Sequence, residues 1–109
     1  MKISVREVGA AKVVEVDGEV DLGTSPDLRR TLFESLSTAR KLALNLAAIR
    51  YIDSSGIATL IEVLKRSQNL KKEFVLFGLS PAVLEVFRLT HVIRIFQVFQ
   101  TEQEALGTP

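Results

Sequence analysis

Asp53, Ser54, Ser55 and Gly56 follow one another between an apolar run and an amphipathic segment that starts at Ile57. Two hydroxyls therefore stand where a helix begins. Unpaired backbone N–H groups and the positive end of the helix dipole favour an oxyanion there. A phosphate on either serine adds a charge of roughly −1.5 to −2, and the helix start tolerates it. The chemistry on offer is a phosphorylation switch. The same residue types are also the usual N-caps, so Asp53 or a serine can serve the helix alone. The two roles are compatible.

Other chemistry finds little support. His91 is the sole histidine, between Thr90 and Val92, and reads as a surface residue or part of a helix end. A Ser-His-Asp hydrolase would need His91 beside Ser54, and the chain has no Gly-x-Ser-x-Gly elbow. No glycine-rich phosphate loop of the dinucleotide or P-loop type occurs. With no cysteine there is neither a disulfide nor a thiolate metal site. The expectation is a chain with no catalytic residue, no metal and no cofactor.

The elements that must hold the serines are legible from the apolar pattern. The 109 residues are 47% hydrophobic and 25% charged, which suits one soluble domain spanning 1–109. Fourteen basic residues oppose thirteen acidic ones. No Lys/Arg run exceeds two, so direct nucleic-acid binding is not expected. Met1-Lys2 leads into an alternating segment instead of a leader-like apolar block, and no stretch approaches the ~20 apolar residues of a membrane span. The expected location is cytoplasmic, without membrane insertion.

Ile3, Val5 and Val8 predict a half-exposed strand, and Gly9-Ala10-Ala11 a turn. Lys12 to Val20 then predicts a second strand with Val14, Val16 and Val20 on one face and Glu15, Asp17 and Glu19 on the other. Gly18 interrupts the apolar face, as a bulge or a close backbone approach would. Asp21 to Thr24 reads as a loop. Ser25-Pro26-Asp27 starts a helix, with Thr24 and Ser25 as cap candidates and Leu28, Leu32, Leu36 and Ala39 facing inward, up to about Ala39. Leu42 to Leu46 is a short strand, and Ala47 to Ile52 carries the chain to the Asp53 loop. Ile57, Leu60, Ile61 and Leu64 mark a helix running to about Lys71, with Glu62 and Arg66 placed to pair. Phe74 to Phe77 reads as an interior parallel strand. Ser80-Pro81 opens another helix, Ile95 to Phe99 is a last strand, and Thr101 with Glu104 forms a capping box for a short helix ending near Gly107. The order ββαβαβαβα predicts an α/β fold: a mostly parallel mixed sheet with an N-terminal antiparallel hairpin and right-handed crossovers.

Gly18-Glu19-Val20-Asp21, Leu44-Asn45-Leu46, Ile52-Asp53-Ser54-Ser55-Gly56-Ile57 and Phe77-Gly78-Leu79-Ser80-Pro81 resemble the anti-sigma factor antagonists, whose fold is called STAS. The resemblance spans essentially the whole chain. It implies a bacterial partner-switching protein that binds a serine-kinase anti-sigma factor and frees its sigma factor. Phosphorylation by that kinase ends the interaction, and a serine phosphatase resets it. The acceptor carries over to Ser54, with Ser55 the second choice. Asp21 corresponds to the family's acidic residue near the acceptor; as a plain loop residue it would bond nearby N–H groups.

The implied partner surface comprises Asp21, Thr24, Asp53, Ser54, Ser55 and Gly56, and Gly56 would allow a partner's close approach or an unusual backbone angle. The protein is expected to be a monomer or weak dimer. Two other functions stay open: a stand-alone STAS subunit of a lipid or anion transport complex, and a nucleotide-sensing or hydrolytic protein.

Overall fold

The apolar residues of the strand leading to the serines fall at 42, 44, 46, 49 and 52. That spacing reflects one long strand with two bulges. A computed structural model describes residues 1–107 and shows β3 running over Lys41–Ile52. Against its neighbour β2 (Ala11–Val20), Glu15 pairs with Asn45 but Asp17 with Ala48; Gly18 pairs with Ile49 but Glu19 with Tyr51. Each step inserts an extra residue into β3, so Leu42, Leu44, Leu46, Ile49 and Ile52 all reach the same core. The segment Ala47 to Ile52, expected as a connection, is therefore strand. Its irregular period hid it.

The rest of the sheet is simpler. β1 (Lys2–Val8) pairs antiparallel with β2, and β4 (Glu73–Phe77) and β5 (Gln97–Phe99) extend it in parallel, giving the order β1-β2-β3-β4-β5. The helices are α1 (Ser25–Thr38), α2 (Ser54–Asn69), α3 (Pro81–Leu89) and α4 (Glu102–Leu106). The predicted topology is observed, with a 3₁₀ turn at Val92–Arg94 in addition. That turn takes up Ile95, which is half exposed, so the last strand is shorter than Ile95 to Phe99.

One face of the sheet carries the main core. Val14, Val16, Val20 and the β3 residues meet Leu28, Leu32 and Leu36 of α1, Ile57, Leu60 and Val63 of α2, and Val83 and Phe87 of α3. Each fully buried leucine contributes about 1.5–3 kcal/mol relative to an exposed one. On the opposite face, α4 covers one end: Ala105 packs with Val13, Ala43, Val75 and Phe77. The acidic face of β2 is therefore only partly solvated, with Asp17 and Glu19 exposed and Val13 buried.

Several local expectations change. α1 has Thr24 at its N-cap position, but no side chain there caps it, and Ser25 is buried inside the first turn. Thr24 and Ser25 are thus not side-chain caps. Glu62 pairs with Arg29 of α1 at 2.8 Å instead of with Arg66, whose guanidinium stacks on Phe33. α2 starts at Ser54 and ends at Asn69, two residues short of Lys71. Of the two readings of Gly18 the close approach holds: an added Cβ would lie 3.1 Å from Met1 Cα, and its φ is +127°, while the extra residue of the neighbouring bulge belongs to β3. The cap of Ser80 on Val83 N and the Thr101–Glu104 capping box form as read.

Candidate functional site

Parallel strands β2 and β3 end side by side, Val20 opposite Ile52, and the Asp53 amide donates to Val20 O at 3.1 Å. The loop carrying Asp21 and the turn carrying the serines therefore share one end of the sheet.

Asp53 is the N-cap of α2. Its Oδ1 accepts from Ser55 N at 2.9 Å and Gly56 N at 3.3 Å, and also from the Ser55 hydroxyl. These donors favour the carboxylate form. The Ser55 hydroxyl, the largest cause, holds the Asp53 carboxyl below its ordinary range; desolvation, next in size, opposes it, and the Gly56 and Ser55 amides add smaller lowering effects.

The two serines differ. Ser55 is half-buried with its hydroxyl committed to Asp53. Ser54, the first residue of α2, is exposed, and among the described residues its hydroxyl has no hydrogen-bond partner. The two hydroxyls of one tetrapeptide thus differ, that of Ser55 bonded to the cap and that of Ser54 exposed.

Gly56 departs from its expected part. It is buried, and an added Cβ would lie 2.7 Å from both Val20 Cγ1 and Ile52 Cγ1. It lets α2 sit directly on the ends of β2 and β3, and it offers no surface to a partner. Its φ lies outside the left-handed region, so an unusual backbone angle is not its purpose either.

Asp21 is half-buried. Its Oδ1 accepts from Gly23 N at 2.9 Å and Thr24 N at 3.1 Å, an Asx-type turn. Thr24 Oγ1 accepts from Asp21 N at 2.9 Å and donates to Glu19 O at 2.9 Å. Asp21 and Thr24 thus lie at the serine end of the sheet, with polar atoms largely spent on fixing the loop. Between them Leu22 projects with 77% of its surface exposed. Leu22 carries no signal in the sequence, since a loop leucine is informative only through its exposure.

His91 lies beyond the far end of α3 from Ser80, in a left-handed conformation (φ 62°), and is exposed. It is not brought to the serines. Among the described residues no group of three or more His, Cys, Asp or Glu is arranged to hold a metal ion, and no helix is long and apolar enough to cross a membrane.

A fold with a capped, exposed serine at the end of a mixed sheet can be compared with known proteins. The STAS domain profile matches residues 2–105. This chain is a STAS domain protein. Two curated relatives narrow the family to the anti-sigma factor antagonists. The anti-sigma-B factor antagonist of Listeria monocytogenes is 29% identical over 93 residues, covering 84% of this chain and 82% of the relative. That of Staphylococcus aureus is 31% identical over 78 residues, covering 71% and 72%. Among solved structures, the anti-sigma factor antagonist SpoIIAA in its unphosphorylated form superposes with TM-score 0.81 at 19% identity, covering 96% of this chain and 93% of that one. The phosphorylated form of SpoIIAA, a Bacillus cell fate determinant, gives TM-score 0.75 at 18% identity, with 96% of each chain covered. At those identities the likeness establishes the STAS fold. The relatives are anti-sigma factor antagonists, and in this STAS chain Asp21, Thr24 and the Asp53 to Ser55 turn lie at one end of the sheet.

Proposed function

We propose that this STAS protein is a phosphorylation-controlled antagonist of a serine-kinase anti-sigma factor. In its unphosphorylated state it docks on the kinase through the end of the sheet that carries Asp21, Thr24 and Asp53 to Ser55, and the sigma factor is released. The kinase, supplying ATP and metal, transfers the γ-phosphoryl group to Ser54 Oγ; the bond to the β-phosphate breaks, ADP leaves, and the hydroxyl proton goes to a base on the kinase. The phosphorylated form dissociates, and a serine phosphatase restores the hydroxyl. The observation carrying this reading is the division of labour between the serines: Ser54 exposed and unbonded, Ser55 tied to Asp53. A neighbour of the same fold, SpoIIAA, exists in unphosphorylated and phosphorylated forms.

The phosphate acts on docking more than on folding. It stands at the start of a helix, whose dipole favours it, yet follows the ionised Asp53 directly in sequence. Like-charge repulsion and occupation of the contact surface both oppose the complex. A change of about 3 kcal/mol in docking alters affinity by about two orders of magnitude, enough for a switch. Ser54→Ala is expected to bind the kinase persistently and Ser54→Asp to bind poorly. Equal affinities of the two variants, measured by titration calorimetry, would remove the mechanism.

A further inference from the structure

We propose that Leu22 is an apolar anchor of the kinase complex, seated in an apolar pocket of the kinase beside its phosphoryl-transfer site. The inference rests on the function proposed above and adds a division within the interface: affinity from Leu22, control from Ser54.

Exposed leucines are common and carry nothing alone. Leu22 differs in three respects. At 77% it is the most exposed large hydrophobic side chain among the described residues. It sits in a loop that cannot fold it away, because Asp21 Oδ1 holds Gly23 N and Thr24 N, Thr24 Oγ1 holds Asp21 N and Glu19 O, and Asp21 O accepts from Ser25 N at 2.8 Å. And the Val20–Asp53 bond places that loop at the end of the sheet from which Ser54 projects. A loop whose backbone is already held in place loses little freedom on docking, which suits an interface anchor. The other exposed leucines lie elsewhere, Leu70 at the end of α2 and Leu89 at the end of α3.

An apolar anchor contributes equally before and during phosphoryl transfer, since it touches neither the phosphate nor the hydroxyl. Such uniform binding appears in KM and not in kcat. Wild type, Leu22→Ser and Leu89→Ser are therefore compared as full-length substrates of the purified serine-kinase anti-sigma factor encoded in the same genome, with ATP in excess. Thermal melting checks that all three are folded. The expected result is a KM raised about tenfold or more for Leu22→Ser, kcat within about twofold of wild type, and wild-type values for Leu89→Ser. An unchanged KM for Leu22→Ser, or a loss confined to kcat, overturns the anchor while leaving the switch intact. A wild-type chain that the kinase neither binds nor phosphorylates overturns the functional reading, and the anchor with it.

Discussion

The Asp53 amide lies 3.1 Å from the carbonyl oxygen of Val20, so the last residues of β2 and β3 are joined where α2 begins. This bond ties the start of the Asp21 loop to the serine turn. Gly56 adds a second contact, its Cα face pressed against Val20 and Ile52. The backbone that carries Ser54 is thereby fixed to the ends of both strands.

The tight seat of α2 can be tested through Gly56. Alanine is the better helix former by about 1 kcal/mol, yet its Cβ would lie 2.7 Å from both Val20 Cγ1 and Ile52 Cγ1. Overpacking of this kind costs about 1–3 kcal/mol. Urea denaturation is expected to show Gly56→Ala less stable than wild type, by up to about 2 kcal/mol once the helix gain is subtracted. A stabilised variant would mean that the helix is not held against the strands.

Asp53 should leave a signature in pH. Its folded carboxyl titrates below the ordinary value of about 3.9, chiefly because of the Ser55 hydroxyl. A depressed carboxyl stabilises the fold at pH above the unfolded value, and the contribution is lost as pH falls through the folded value. Asp53→Asn keeps a neutral cap. Its melting temperature is expected to lie below that of wild type near pH 7, with the gap closing as pH falls below about 4. A gap constant across that range would contradict the charged cap.

The Asp21 loop is fixed by the Thr24 hydroxyl, which bonds both Asp21 N and Glu19 O. Thr24→Val keeps the shape and removes both bonds. A loss of about 1 kcal/mol is expected, together with faster hydrogen exchange at the Asp21 amide. Unchanged exchange would show that the loop is ordered by something else.

The sequence displays these features unevenly, for physical reasons. Caps are local, so Ser80 and the Thr101–Glu104 box could be read from three or four adjacent residues. The inward stripes of α1 and α2 follow a regular period and were equally plain. β3 beyond Leu46 was not, because two bulges stretch its apolar spacing from two residues to three. The role of Gly56 depends on Val20, thirty-six positions earlier in the chain, and no local pattern encodes that distance. Likewise Ser54 and Ser55 look equivalent as letters. Only the capping geometry shows that one hydroxyl is committed to Asp53 and the other is not.

Site mapping after reaction with the kinase tests the central claim most directly. Wild type, Ser54→Ala and Ser55→Ala are incubated with the serine-kinase anti-sigma factor and ATP, then analysed by intact mass and peptide fragmentation. A single phosphate on Ser54 is expected in wild type and Ser55→Ala, and none in Ser54→Ala. Phosphate on Ser55, or undiminished labelling of Ser54→Ala, would contradict the assignment of the exposed hydroxyl as the acceptor.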